Sequence, residues 1–259
     1  MKEMTGPRHS GLVWKRSRSM QLSKRLQCIA DYVTEGKRTA DIGCDHGWVA
    51  IYLAEKKRAP AVIAMDVGKG PLKRAREHIR ARGLEEKIET RLSDGMAALK
   101  KGEVEAVVMA GMGGPLMIRI LQEGKVITES LDELILSPQS EIAQVRRFLA
   151  AEGWEICREE MLTEDGKYYT IMKAVPGTAR ERTEADFRYG WRMIQERNPV
   201  LYQFLRKEER TRNNILENLS GKDSAACRQR IQQLRRDLAV IREAIDRIEK
   251  KSEVDTYEM

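Results

Sequence analysis

The spacing of apolar positions alternates along the chain between a helical and a strand-like period. Just after Met20, LSKRLQCIADYV puts Leu22, Leu26, Ile29 and Val33 on one face of a helix. A short apolar run, RTADIG (38–43), predicts a strand, WVAIYLAEKK (48–57) a helix, and APAVIAMD (59–66) a second strand ending in an acid. GPLKRAREHIRARG (70–83) predicts a helix, with Pro71 near its first turn and Gly83 just past its end. KIETRLSDG (87–95) then predicts a strand and turn, and VEAVVMAGMGG (104–114) a fourth strand. The alternation continues through a helix in PLMIRILQEG (115–124), a strand in LDELILSP (131–138) and a helix in EIAQVRRFLAAEG (141–153). Two β-rich runs, WEICREEML (154–162) and KYYTIMKAV (167–175), are separated only by the turn TEDG. Such alternation implies an α/β fold with a parallel sheet covered on both faces, and the closing hairpin implies that the last strand enters antiparallel.

The remainder has a different rhythm. Asn198-Pro199 reads as an N-cap and first-turn proline, and Leu201, Leu205, Ile215 and Leu219 predict a long helix ending at Ser220-Gly221. Ile231, Leu234, Leu238, Ile241, Ile245 and Ile248 follow at alternating spacings of three and four, the seam of a coiled coil, so the two helices are expected to fold back as an antiparallel hairpin. The chain therefore divides into three parts: a leader over residues 1–19 without periodicity, an α/β domain over 20–178, and a helical domain with an acidic tail over 179–259. The leader reads as a disordered basic arm or as sequence ahead of a true start at Met20.

With 259 residues and 41% hydrophobic content, the chain can bury a substantial core. It has no apolar run long enough to span a membrane and no signal-like leader, so a cytoplasmic location is expected. Its four cysteines, Cys28, Cys44, Cys157 and Cys227, are widely spaced, which fits reduced thiols and argues against a disulfide framework or a metal site. The net charge of +7 is concentrated at the flanks, around a nearly neutral middle. Basic flanks suit a polyanion held beside a neutral catalytic body, although a solvated helical surface has the same composition.

Open parallel sheets bind ligands beyond the carboxyl ends of their strands, where strand order reverses. Those ends are marked here by Asp41, Gly43, Asp45 and Gly47 after strand one, Asp66 after strand two, Asp94 and Gly95 after strand three, and Ala110, Gly111, Met112, Gly113 and Gly114 after strand four. An acid some twenty residues past a glycine turn is placed to accept both hydroxyls of a ribose. Counted from Gly43, the third and sixth positions of a dinucleotide fingerprint would be Asp45 and Trp48, both unsuited to a pyrophosphate. An acidic loop instead favours a cationic donor without phosphate, S-adenosylmethionine. Each acid also has a plain structural reading, Asp66 as a helix cap and Asp94 as the N-cap of DGMAALKK. His46 reads as a loop-ordering or cofactor-edge residue and Cys44 as a small packing residue. Of Tyr168 and Tyr169, one is expected in the core and the other facing a substrate.

The ordered set LSKRL, DIGCDHG, WVAIYL, AMDVGKGPL, LSDG, MAGMGG and EDGKYYTIM, spanning Leu22 to Met172, resembles the bacterial tRNA adenine-22 N1-methyltransferase family. Its most specific element is AGMGG in place of the usual Asn/Asp-Pro-Pro-Tyr motif. The resemblance implies a Rossmann-like class I methyltransferase domain, a C-terminal coiled-coil domain, S-adenosylmethionine as cofactor and methyl transfer to adenine N1 in the tRNA D-arm. It implies a site role near the cofactor carboxylate for Arg25, which otherwise reads as surface charge; beside it, the close approach that glycines allow makes Met112, Gly113 and Gly114, with Tyr168, candidates for the acceptor pocket. Trp48 and Ala50 depart from the family's usual Tyr and Pro without touching the cofactor acids. Arg206, Arg210, Arg212, Arg228, Arg235, Arg236 and Arg242 around the coiled-coil seam become candidates for tRNA phosphates. A small-molecule methyltransferase and a non-catalytic RNA-binding module remain as alternatives, and monomer and homodimer are both open.

Overall fold

The computed structural model describes residues 21–178, 181–219, 221 and 224–250. The leader 1–19 and the acidic tail after 250 lie outside them. The elements are, in chain order, α1 (Lys24–Tyr32), β1 (Thr39–Ile42), α2 (Trp48–Glu55), β2 (Val62–Asp66), α3 (Lys69–Arg80), β3 (Ile88–Leu92), β4 (Ala106–Ala110), α4 (Gly114–Glu123), α5 (Lys125–Thr128), β5 (Glu133–Ser137), α6 (Ile142–Ala151), β6 (Trp154–Glu164) and β7 (Lys167–Pro176). Four helices complete the set: α7 (Glu184–Tyr189), α8 (Trp191–Gln195), α9 (Pro199–Leu219) and α10 (Ala225–Glu249).

The strands form one sheet in the order β3-β2-β1-β4-β5-β7-β6. β1 pairs in parallel with both β2 and β4, and β5 extends the parallel set, whereas β7 is antiparallel to both β5 and β6. Every residue of β1 and β5 is buried, as expected for strands covered on both faces, while β3 at one edge is only partly covered. One face carries a core in which Ile29, Ile51, Leu53, Leu72 and Ile79 bring α1, α2 and α3 against the sheet. The other face carries Met109, Met117, Leu121, Val145 and Leu149, from β4, α4 and α6. The amphipathic reading of α1 holds: Ile29 and Val33 are buried, and Ser23 caps the helix by accepting from the Leu26 amide at 3.4 Å.

A third core belongs to the C-terminal helices. Tyr189, Met193, Leu201, Leu205, Ile241 and Ile245 pack together and against Met161 of β6, so the helical pair is seated on the sheet edge. The Asn198 Oδ1 accepts from the amides of Val200 and Leu201 at 3.0 and 2.9 Å, as an N-cap should. Tyr202 bonds Glu249 at 2.7 Å and Glu209 pairs with Arg242 at 3.1 Å, so α9 and α10 run antiparallel as the seam predicts. At 21 residues α9 is about 30 Å long. The short helices α7 and α8 were not foreseen from periodicity; α7 begins with a capping box between Thr183 and Asp186. No helix of the described residues is long and apolar enough to cross a membrane.

Ile241 is fully buried where α10 meets α8 and α9. Ile241→Ala is expected to lower the unfolding free energy in urea by about 2–5 kcal/mol, whereas a loss below about 1 kcal/mol would remove this seam from the core.

Candidate functional site

β1 and β4 are neighbours whose chains leave in opposite directions, and the turns that follow them frame a cleft. Gly43 and Gly47 have φ of +74° and +73°, and Asp45 between them has +45°. A Cβ on Gly43 would lie 2.9 Å from Cε of Met112, so this turn and the loop after β4 are in contact through a glycine. Gly47 serves as N-cap residue of α2 and lets Ala75 of α3 approach, to 3.2 Å from where a Cβ would stand. Asp66 holds the loop from behind: its two oxygens accept from the Asp45 amide at 3.2 Å and the Gly68 amide at 2.8 Å. It therefore ties the β1 turn to the chain entering α3, but it does not cap that helix, whose N-cap residue is Gly68 without a side-chain cap.

The cleft has a volume of about 300 Å³ and is lined by Arg25, Asp41, Gly43, Asp45, His46, Ala110 and Gly111, together with Leu26, Cys44, Trp48, Val49 and Gln139. Its charges have opposite sign. Asp41 is 4% exposed and accepts from the Ala50 amide at the start of α2; burial, with the Asp66 charge adding to it, pushes its pKa up to about 7. Arg25 lies over the Tyr169 ring at 4.9 Å, its nearest acid, Glu164, is 4.0 Å away, and its Nε and Nη1 are buried without a hydrogen-bond partner. A partly buried guanidinium with two unpaired nitrogens has the hydrogen-bonding capacity to take an anion such as a carboxylate. Asp45 is different: its carboxylate is 60% exposed and engaged by Arg74 at 2.9 Å and His46 Nε2 at 3.5 Å. The acid buried in the cleft wall is thus Asp41.

His46 is held in a set of near-parallel rings, 6.0 Å from Trp48 and 5.7 Å from His78, which themselves stack at 4.1 Å. Cys44 is buried, and its thiol is pushed well above its usual pKa, chiefly by burial, so it is an inert packing group. Among the described residues, no cluster of His, Cys, Asp or Glu has a metal-binding arrangement.

Gly47, Asp66, Met112, Gly113 and Gly114 belong to the surrounding turns without lining the cleft, and Asp94, Gly95 and Tyr168 stand elsewhere. Asp94 and Gly95 line a separate cleft of about 220 Å³ with Ile120 and Glu123; the Asp94 carboxylate is 59% exposed and paired with Arg119 at 3.3 Å. DGMAALKK forms turns and no helix, so Asp94 caps none. Tyr168 points away from the cleft and packs edge-on against Phe204 of α9 at 5.0 Å. Alternation along β7 gives the cleft side to Tyr169 instead.

The structure also adds residues. Gln139 follows the fifth strand end, and its backbone N–H donates to the carbonyl of Met112 at 3.0 Å. Val67 and Leu92, 70% and 48% exposed, leave an apolar surface beside Asp66, suited to a flat base. Both could have been sought with the strand-end rule that located the acids. In the loop after β4, Met112 packs into the core of the α4 face and Gly113 caps α4. Gly114 is the sterically fixed member, since a Cβ there would be 2.6 Å from the Ser140 carbonyl oxygen.

The strand order, the antiparallel seventh strand, the glycine turn after β1 and the acid ending β2 define a Rossmann-like class I methyltransferase. Residues 22–172 match the model of a methyltransferase domain. The tRNA (adenine(22)-N(1))-methyltransferase of Bacillus subtilis is 32% identical over 233 residues, covering 88% of this chain and 98% of the relative. The crystal structure of the B. subtilis m1A22 tRNA methyltransferase TrmK superposes with a TM-score of 0.79 at 32% identity, over 87% of this chain and 99% of that one. Streptococcus pneumoniae Sp1610, solved in complex with S-adenosyl-L-methionine, gives a TM-score of 0.78 at 33% identity, over 87% of this chain and 100% of that one. The chain belongs to the bacterial tRNA (adenine(22)-N(1))-methyltransferase family.

Because the folded protein holds the Asp41 proton more tightly than the unfolded chain, this group favours folding fully below about pH 4, and that contribution is lost as the pH rises to about 7. Wild type should therefore lose stability relative to Asp41→Asn between about pH 5 and pH 7 in denaturant titrations, with a constant difference above. Parallel stability curves over that range would mean that Asp41 is ionised throughout.

Proposed function

We propose that this protein transfers the methyl group of S-adenosylmethionine to N1 of adenine 22 in the D-arm of tRNA. The observation that carries the reading is the pair of opposite charges in the β1–β4 cleft, a buried Asp41 and an incompletely satisfied Arg25. An amino acid moiety with an ammonium and a carboxylate matches both poles, and a pyrophosphate matches neither Asp41 nor Asp45. We assign Arg25 to the carboxylate, Asp41 to the cationic end, Asp66 with Val67 and Leu92 to the nucleoside, and the Gly43, Gly47 and Gly111 backbones to the close approaches between them. Asp94 and Gly95 retain at most an edge role, because Arg119 already engages the Asp94 carboxylate.

When bound, the cofactor supplies an electrophilic methyl on a cationic sulfur. Adenine N1 offers an in-plane lone pair: the N1–carbon bond forms, the sulfur–carbon bond breaks, and its electron pair remains on sulfur. The product base is cationic, and N1 has no proton to lose. The protein's task is accordingly to align the two atoms and exclude water rather than to provide a strong base. The loop Ala110–Gly114 and the neighbouring Gln139 form the wall against which the base is held. Because N1 lies on the pairing edge, the base must be turned out of its stack, which demands a firm grip on the RNA.

We assign residues 20–178 to catalysis, in the cytoplasm, and residues 179–259 to that grip. The arginines around the seam differ in availability. Arg206 and Arg242 both pair with Glu209, at 3.2 and 3.1 Å, and Arg212 pairs with Glu208. Arg210, Arg235 and Arg236 are exposed and carry no ion pair among the described residues. On α9 the acids Glu208 and Glu209 are occupied by these arginines. A concave stripe of Tyr202, Gln203, Arg206, Lys207, Arg210, Thr211 and Asn214 lies on one face, adjoining Tyr168 through Lys207. That stripe contains no acid and is the part of the arm we assign to tRNA phosphates.

Incubation with methyl-labelled cofactor and a tRNA transcript, followed by nuclease mapping, should place the label in 1-methyladenosine at position 22. A transcript carrying guanine there should remain unlabelled. Label at another nucleotide, or on small molecules only, would contradict the reading.

A further inference from the structure

We infer that Arg146 is a positioning residue: together with Glu159 it locks α7, and through it the α9–α10 arm, at a fixed angle to the acceptor wall of the cleft. This inference rests on the assignment of tRNA binding to that arm.

Arg146 is 4% exposed and the Glu159 side chain is fully buried, and their ion pair is 2.7 Å long. Burial pushes the Glu159 carboxyl up, with Arg146 opposing, as expected for a charge removed from water. Such a pair is an inefficient source of stability, since apolar side chains of similar volume often do as well or better. Its geometry points to orientation instead. Arg146 Nε donates to Glu159 on β6 at 2.7 Å, and Nη1 donates to the carbonyls of Phe187 and Arg188 at 2.8 and 2.9 Å. Those carbonyls belong to the last turn of α7, where a helix leaves its acceptors unpaired and favours a cation. The chain then passes directly over the acid. Gly190 has φ +87°, and a Cβ there would stand 2.2 Å from Glu159 Oε2, an oxygen that has no hydrogen-bond partner.

From α7 the connection continues outward. Asp186 pairs with Arg247 at 2.8 Å and Arg188 with Asp237 at 2.7 Å, both on α10. Arg147, next to Arg146, pairs with Glu184 and lies 4.3 Å over the Phe187 ring, adding a second grip of α6 on α7. At its other end α6 follows, after Glu141, on Gln139, which lines the cleft, and Ser140, which bears on Gly113 and Gly114. Arg146 is about 6 Å along the axis from the first residue of α6. One short rigid helix thus joins the acceptor wall to the arm. An enzyme that must turn a base out of a tRNA and align one nitrogen has use for such a fixed angle, because small displacements of the reacting atom are costly in rate.

Arg146→Lys keeps a cation beside Glu159 but cannot reproduce the fork that reaches both carbonyls. In the full-length protein, this variant should lower kcat for tRNA methylation about 10- to 100-fold, with the KM for tRNA and the calorimetric affinity for S-adenosylmethionine within about twofold. A second variant, Arg188→Gln with Asp237→Asn, loosens the same connection away from the buried pair and should change kcat in the same direction. Wild-type turnover in both variants would overturn the inference, as would losses of cofactor affinity in proportion to kcat, the mark of general destabilisation. Lys207→Glu with Arg210→Glu, on the α9 stripe, tests the underlying assignment separately: it should raise the KM for tRNA about tenfold and leave cofactor affinity unchanged. If that variant binds tRNA normally, the arm assignment fails; if it binds poorly while Arg146→Lys turns over normally, only the positioning role fails.

Discussion

The approach of three loops at the carboxyl end of the sheet is the constraint on which the rest depends. The turn after β1 meets the Met112 side chain of the loop after β4 at Gly43, whose φ of +74° favours glycine, and that loop touches the chain after β5 at Gly114, where only hydrogen leaves room for the Ser140 carbonyl. A side chain at Gly114 would force the chain after β4 away from the chain after β5 and open the cleft wall that they share. The glycines therefore matter as spacing, and the parallel strands behind them, fully buried in β1 and β5, supply the rigidity that makes the spacing reproducible.

Electrostatics follow from that packing. Asp41 lies on β1, buried where water cannot screen it, and Arg25 reaches the same cleft from α1 across the Tyr169 ring. Asp45, which reads from sequence as the decisive acid of the turn, is engaged by Arg74 at the surface and contributes mainly through its left-handed backbone. The sign of the cleft is unchanged by that revision, but its source moves from an exposed residue to a buried one. Burial holds the Asp41 carboxyl protonated up to about pH 7, and once ionised its charge acts more strongly on a cationic ligand than an exposed one would.

The sheet and its covering helices were legible because each carries a single strong period. So was the α9–α10 seam, a run of six apolar residues of which only Ile231, at the far end, is not buried. The helices α7 and α8, of six and five residues, have too few turns for a period to register, although the Thr183–Asp186 capping box was available as a signal. Tyr168 and Tyr169 show another boundary: alternation says that they face opposite ways, but which faces the cleft depends on where α1 and α9 dock. Asp94 sits at the correct strand end, yet its carboxylate lies at the surface beside Arg119 on α4, a contact 25 residues away. The arginines of the arm were recognisable as a group, and only their partners in space separate Arg210 from Arg212 and Arg242.

The central claim is that Arg25 and Asp41 divide the recognition of a zwitterionic methyl donor between them. It is tested most directly by calorimetric titration of wild type and Arg25→Met with S-adenosylmethionine and with its decarboxylated analogue. Arg25→Met should weaken binding of S-adenosylmethionine by about 10- to 100-fold, the scale of a lost charge-assisted bond, and leave the affinity for the analogue unchanged. Equal weakening toward both ligands would contradict the assignment of Arg25 to the carboxylate and the charge-paired cleft built on it.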